Sequence, residues 1–336
     1  MGESSSHDLC DGEGKMMLEI RDLRKSYGNF RALDGLNLTI EKKELFGFVG
    51  PNGAGKTTTL KILAGLLYPD DGIVEIDGQD ALSDSRSLKR RIGYVPDFFG
   101  VYDNLKVTEY MEFFASCYGI VGLQARRRCE TLLEQVKLED KADFFVDGLS
   151  RGMKQRLCLA RALIHDPDIL ILDEPASGLD PRTRLEFTAL LRELREQGKT
   201  LLVSSHILSE LAEMCTSIGI IDQGKMVLQG SMEQIFERVN ASNPLLISVF
   251  SQKERALAIL KSHPCVQTIS VKDEEIKLGF IGDRQDEAQL LQQLIDAGVM
   301  ISGFMREKGS LESLFMQITG SEEEKAVLRH EMESGI

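Results

Sequence analysis

Gly50-Pro51-Asn52-Gly53-Ala54-Gly55-Lys56-Thr57-Thr58 fits the pattern G-x-x-x-x-G-K-[ST] without a gap. Leu45-Phe46-Gly47-Phe48-Val49 precedes it, a short apolar run of strand type. Thr59-Leu60-Lys61-Ile62-Leu63-Ala64 follows it and reads as a helix. Strand, glycine loop and helix in that order are the context the pattern requires. Glycines let backbone N–H groups approach a polyphosphate with no Cβ in the way, and the helix N-terminus adds partial positive charge. Lys56 brings a full charge to the β and γ phosphates, and the Thr57 hydroxyl suits Mg²⁺. The loop alone leaves open which nucleotide is bound and what its hydrolysis drives.

Outward from the loop, the alternation at 16–23 and at Leu36-Asn37-Leu38-Thr39-Ile40 predicts strands half-buried on one face. Ile73 to Ile76, and Ile92-Gly93-Tyr94-Val95 stopped by Pro96, are further short strands. From Asp97 the pattern changes. The segments 107–118, 123–136 and 154–164 read as helices with no strand among them, a helical insertion of about 97–165 in an α/β domain. Strands return at Ile169-Leu170-Ile171-Leu172, continuously apolar as a central parallel strand should be, at Thr200-Leu201-Leu202-Val203 and at Ile218-Gly219-Ile220-Ile221. Between the first two, Phe187, Leu190, Leu191 and Leu194 form one helix face, which Gly198 terminates. Ser231-x-x-Gln234 is a capping box.

Asn240-Ala241-Ser242-Asn243-Pro244 is the best domain boundary, so the first domain is expected to span 16–239. Beyond it the order strand, helix, strand, strand, helix, strand predicts a small ferredoxin-like α+β domain over 245–320, closed by a helix at 310–319. A charged tail, 321–336, completes the chain, and a Ser- and Gly-rich disordered tail, 1–15, opens it. Met1-Gly2-Glu3-Ser4-Ser5-Ser6 also matches the short myristoylation pattern M-G-x-x-x-[ST].

The chain's 336 residues suggest about two domains. Its 53 acidic residues outnumber 40 basic ones, for a net charge of −13, which disfavours a general nucleic-acid binder. Apolar runs fall far short of the ~20 residues that span a bilayer, and no apolar signal segment opens the chain. The six cysteines are scattered with no C-x-x-C pair, which argues against a zinc site or a disulfide framework and suits a reducing compartment.

Two further stretches carry chemistry. The strand Ile169–Leu172 delivers Asp173 and Glu174 at its C-terminal end, where ligands of parallel sheets gather. Asp173 is placed to hold Mg²⁺ and Glu174 to orient and deprotonate an attacking water; read alone, the pair is also what a strand's polar end looks like where it meets solvent. Leu149-Ser150-Arg151-Gly152-Met153-Lys154-Gln155-Arg156 stands a short way before that strand. Ser150 offers a hydroxyl and Gly152 an unobstructed N–H at a helix N-terminus, a pairing that suits a γ-phosphate.

Together, the glycine loop, the acidic strand end and this last stretch resemble the motifs of ATP-binding cassette (ABC) ATPases. The resemblance spans roughly 16–235, with each motif where the family has it. It implies a phosphate-loop cassette, a mixed-sheet core with a helical subdomain, binding MgATP. It implies that Tyr27 stacks on adenine, worth about 1–3 kcal/mol, that Ser177-Gly178-Leu179-Asp180 is the D-loop, and that His206 is the switch histidine. Read alone, Tyr27 is a surface strand aromatic, His206 a polar residue at a helix start, and Asp180 a helix cap before Pro181.

In the family the segment at Ser150 closes on ATP held by another subunit. The resemblance therefore implies a homodimer or cassette heterodimer with two composite sites. It further implies a separately encoded transmembrane permease, docking on the helical segment near 97–118 including Phe98-Phe99-Gly100-Val101-Tyr102, and a cytoplasmic, peripheral location on the inner face of the membrane. The C-terminal stretch 310–320 is similar to tails of multidrug and polysaccharide exporters. The alternative within the family is a soluble translation or chromosome-associated factor. A single phosphate loop and the absence of a long heptad run disfavour it. Two positions depart from the family's pattern: Asp97 stands where Gln is usual, one methylene shorter and charged, and Arg151 replaces a glycine. A cation at a helix N-terminus opposes the helix dipole, so Arg151 is expected to approach the ATP of the opposite subunit.

Overall fold

A computed structural model describes residues 16–83, 89–98, 100, 104–236, 244–273 and 275–306. The tails expected at 1–15 and 321–336, the helix expected at 310–319, residues 240–243 of the boundary, and Phe99, Val101 and Tyr102 lie outside these residues. The chain forms two compact units that divide between Gly230 and Ser231.

The first unit holds two sheets. One, in the order β2-β1-β4-β5, is antiparallel: β1 (Met16–Tyr27), β2 (Phe30–Glu41), β4 (Asp71–Ile76) and β5 (Gln79–Asp80). The other has the order β10-β9-β3-β8-β7-β6. It is built from β3 (Leu45–Val49), β6 (Ile92–Val95), β7 (Ile169–Leu172), β8 (Thr200–Ser205), β9 (Ser217–Asp222) and β10 (Lys225–Ser231). Strand β3 runs parallel to both β8 and β9, and β7 runs parallel to both β6 and β8.

The burial follows the residue pattern. Every residue of β3 and β7 is buried, as in a sheet covered on both faces. Along β2, Leu36, Leu38 and Ile40 are buried while Asn37, Thr39 and Glu41 are exposed. These inward residues meet Ile20 of β1, Phe46 and Phe48 of β3, and Ile169 and Ile171 of β7 in one core. Burying each such side chain contributes about 1.5–3 kcal/mol.

Helix α1 (Lys56–Leu63) follows the glycine loop and packs Leu60, Ile62 and Leu63 into the same core. Helices α2 (Val107–Cys117), α3 (Gly122–Gln135) and α4 (Arg151–Ala162) form the insertion between β6 and β7. There the buried Tyr110 hydroxyl accepts a 3.0 Å hydrogen bond from Arg161. Helix α5 (Pro181–Glu196) buries Phe187, Leu190, Leu191 and Leu194, the face expected from their spacing. Asp180 caps it, accepting from Thr183 N at 3.1 Å, and Gly198 ends it with an N–H donated to Arg195 O. Helix α6 (Leu208–Met214) joins β8 to β9.

Several boundaries differ from the sequence expectation, β2 among them, which begins at Phe30 rather than near Leu36, and two have a visible cause. β1 runs on to Tyr27, because a bulge near Asp22 interrupts the alternation without ending the pairing with β2. α4 starts at Arg151, since the Ser150 hydroxyl accepts from Met153 N and nucleates the first turn ahead of the apolar spacing.

In the second unit, Ser231 and Gln234 form the reciprocal capping box. The elements then follow in the order read from the sequence: β11 (Leu245–Ser251), α7 (Lys253–Ser262), β12 (Val266–Lys272), β13 (Glu275–Phe280), α8 (Arg284–Asp296) and β14 (Met300–Arg306). The sheet has the antiparallel order β12-β13-β11-β14. Leu245, Ile247 and Val249 of β11 and Ile276, Leu278 and Phe280 of β13 share a core with Leu260 of α7 and Leu290 and Leu294 of α8. Among the described residues, no helix is long and apolar enough to cross a membrane.

Candidate nucleotide site

The loop after β3 and the N-terminus of α1 form the floor of a cleft of about 320 Å³. Pro51, Asn52, Gly53, Gly55, Lys56, Thr57 and Thr58 line it together with Tyr27, Phe30, Ala32, Asp97, Glu174, Ser177 and His206. Gly55 is the N-cap of α1 and supplies no side-chain cap, so the first N–H groups of the helix are left for a ligand. Lys56 is buried, and its ammonium donates to Gly50 O at 2.6 Å and stands 3.7 Å from Glu174 Oε1. Burial lowers the Lys56 pKa, and the charges of Glu174 and Asp173 oppose that shift.

The parallel sheet brings the acidic strand end to this loop. Asp173, 2% exposed, accepts from Ser204 Oγ at 2.8 Å and from Thr57 Oγ1 at 3.4 Å. Burial raises its pKa against those two hydrogen bonds, and the charges of Asp97 and Glu174 push the same way. The chain then turns sharply: Glu174 has φ 48, a left-handed conformation uncommon for a residue with a side chain. Its N–H donates to Ser204 Oγ at 2.9 Å, and its Oε2 lies 2.9 Å from His206 Nδ1. A carboxylate held between an imidazole and an ammonium, at the mouth of a donor-rich loop, can take a proton from water beside a bound phosphate.

Most of the residues singled out in the sequence converge here. Gly50 and Ala54 support the loop from beneath without lining the cleft; Gly50 O holds Lys56, and Ala54 O receives the N–H of Gly224. Ser150, Arg151, Gly152 and Asp180 do not line it either. Gly152 is buried facing Thr183, and the Arg151 guanidinium lies against Gly178 of the same chain, within 3.0 Å of where a Cβ would stand. Three contributors escaped the sequence reading, Ala32 in the cleft lining among them. Phe30 sits opposite Tyr27 in the hairpin register and lines the cleft with it; an aromatic three residues beyond the first, across a Gly-Asn turn, was the available signal. Ser204 bridges the two acidic residues from the neighbouring strand β8, and only the strand order reveals it.

A phosphate-cradling loop, a paired acidic strand end and an inserted helical segment define a phosphate-loop ATPase of the cassette class. The model of the ABC transporter family matches residues 33–177. The chain is 33% identical to the Nod factor export ATP-binding protein I of Ralstonia nicotianae, over 91% of this chain and 94% of that one. It is 31% identical to the linearmycin resistance ATP-binding protein LnrL of Bacillus subtilis, over 90% and 98%. Among solved structures it is similar to an ATP-binding subunit of an ABC transporter, with 30% identity and a TM-score of 0.60, covering 66% of this chain and 92% of the other. It is similar also to a dimeric cassette in a post-hydrolysis state bound to ADP and Pi, with 30% identity and a TM-score of 0.59, covering 64% and 99%. The chain belongs to the ABC transporter family, as an ATP-binding, ATP-hydrolysing subunit of exporter type.

Proposed function

We propose that this chain is the motor subunit of an exporter, working on the inner face of the membrane against a separately encoded permease. Two copies, or this chain and a related cassette, close around two MgATP. The observation that carries the reading is the Glu174 carboxylate, held by His206 and Lys56 in the same cleft as the glycine loop. In this reading the 50–58 loop binds the phosphates of ATP, with Lys56 leaving the Gly50 carbonyl for the β and γ phosphates. Tyr27 stacks on the adenine. Glu174 accepts the proton of the attacking water, and His206 fixes that carboxylate and contacts the γ-phosphate. Ser150, Arg151 and Gly152, absent from their own chain's cleft, complete the site of the other subunit, with Asp180 beside them.

The donor set fits Mg²⁺. Asp173 is a buried carboxylate whose only described side-chain hydrogen-bond partners are two hydroxyls, one of them Thr57, and Asp97 lines the cleft with Thr57. Mg²⁺ favours such hard oxygen donors, one or two carboxylates completed by substrate phosphates. Thr57 and Asp173 would hold it, with Asp97 near, and the ion would neutralise charge on the phosphates. Exposed apolar side chains on the helical insertion support docking of a permease there: Phe98 is 88% exposed, and Val121 and Leu123 are 64% and 65% exposed. Export is supported by the names of the relatives, which are export and resistance proteins.

Glu174→Gln tests the reading. Loss of a general base costs about 10²- to 10⁴-fold in turnover, with ATP still bound and the chain trapped as a dimer. Undiminished hydrolysis overturns the assignment of Glu174.

A further inference from the structure

Two of the segments at the cleft come from different strand ends. The 177–180 loop follows β7, and the turn carrying His206 follows β8, which ends at Ser205. One ion pair joins them. Arg184, in the first turn of α5, donates from Nη1 to Glu210 Oε1 at 2.8 Å. Its Nη2 donates to Leu179 O at 3.4 Å, within the 177–180 loop. The other Glu210 oxygen, Oε2, accepts from Ser205 Oγ at 3.3 Å, and Ser205 Oγ accepts in turn from Ile207 N at 3.0 Å. The path thus runs from the Leu179 carbonyl, through guanidinium and carboxylate, into the backbone on either side of His206, whose Nδ1 meets Glu174.

The Glu210 side chain is only 8% exposed and that of Arg184 35%. Among the described residues, Arg184 Nε is buried with no hydrogen-bond partner, so the guanidinium's contacts there are the two from its Nη atoms. A pair this enclosed adds little net stability over an apolar pair of the same size, yet it fixes geometry. What it fixes here is two loops at one site.

We propose that Arg184 and Glu210 are a positioning pair that locks the 177–180 loop to the His206 turn, so that displacement of the loop is transmitted to the Glu174–His206 contact. Neither residue lines the cleft. Gly178, in the same loop, lies against the Arg151 guanidinium. A second subunit that presses on this loop therefore alters how His206 is aimed, and each site is readied by the arrival of its partner. This rests on the reading that Glu174 and His206 act at the γ-phosphate.

The test uses the full chain with two variants. Glu210→Gln keeps shape and removes charge; Arg184→Lys keeps charge and removes the fork that reaches Glu210 and Leu179 together. Affinity for a fluorescent ATP analogue, kcat and KM for ATP, thermal midpoint, and the ring-nitrogen chemical shifts of labelled His206 are measured. Expected are a KM and an affinity within about twofold of the parent and a kcat lower by about tenfold or more, as for a misplacement of under an ångström. The His206 shifts move in both variants. A kcat within about twofold and unmoved His206 shifts overturn the proposal. So does a kcat loss matched by weaker ATP binding and a lower midpoint and restored by Arg184→Glu with Glu210→Arg. That reversal remakes the ion pair but neither flanking hydrogen bond, so its rescue would mark a merely structural pair. Should Glu210→Gln fail to fold, Arg184→Lys carries the same expectations. Glu174→Gln run alongside separates the two failures. If it hydrolyses ATP at the parent rate, the underlying reading falls; if it is inactive while the pair variants are unaffected, only the positioning proposal falls.

Discussion

Gly55→Ala is expected to cost this chain far more than Gly53→Ala, two positions earlier in the same loop. Gly55 stands at φ 114 and ψ −1, a conformation that costs a residue with a side chain about 1–3 kcal/mol. A Cβ there would lie 2.7 Å from Ala32 O and 2.8 Å from Leu33 Cδ2. Neither neighbour yields easily, because both residues are buried in β2, whose register against β1 pairs Leu33 with Lys25. Overpacking of this kind adds about 1–3 kcal/mol. The total of about 2–6 kcal/mol is a large share of the roughly 5–15 kcal/mol that holds a domain together. Gly53, at φ 84, has none of the described residues within 4 Å of where a Cβ would stand, so Gly53→Ala bears only the backbone part. The difference between the two variants, about 1–3 kcal/mol, isolates the collision. Urea unfolding of the nucleotide-free chain measures it, with equal m values confirming a like-for-like comparison. ATP affinity should fall with Gly55→Ala, because relief of the collision moves the carbonyl that receives both the N–H and the hydroxyl of Thr59. Equal stability of the two variants would refute the reasoning.

Two other outcomes follow from the site. Burial holds the folded-state pKa of Asp173 above its ordinary 3.8, so the cost of keeping it ionised is absent at low pH, appears as pH rises through the folded value and persists above it. Asp173→Asn therefore melts higher than the parent at neutral pH in metal- and nucleotide-free buffer, with the gap closing as pH falls towards 3.8; a lower midpoint at neutral pH contradicts this. Phe30→Ala weakens ATP binding by about 1–3 kcal/mol if the ring stacks on the base, while the affinity for inorganic tripolyphosphate is unchanged. Equal losses for both ligands, or none, would remove Phe30 from the base site.

The elements readable in the sequence are those whose partners hardly matter. Ile169–Leu172 is apolar throughout, and any sheet interior would bury it as this one does. The glycine loop declares itself because its chemistry is local. Non-local pairing is another matter: β3 lies between β8 and β9, strands more than a hundred residues distant, and no pattern in 45–49 names them. Ser204 was missed for that reason, since only adjacency of β7 and β8 puts its hydroxyl between Asp173 and Glu174. The end of β1 was misplaced because a bulge breaks the two-residue period while leaving the hydrogen bonding in place. Arg184 and Glu210 look like ordinary surface helix charges in sequence, 26 positions apart, and become a pair only through the packing of α5 and α6 on β8.

The placing of β8 between β3 and β7 also sets a scale. The glycine loop leaves one flank and the acidic pair leaves the other, so the backbones of the strands that deliver them run two strand spacings apart, about 9–10 Å. Backbone hydrogen bonds fix that gap, and it comes only in whole steps; no side-chain change in the core can stretch it by a fraction. The sheet acts as a ruler, and fine adjustment of reach across the gap falls to side-chain length. Asp97, just past the end of the next strand, β6, lines the same cleft, where the length of its side chain sets how far it reaches.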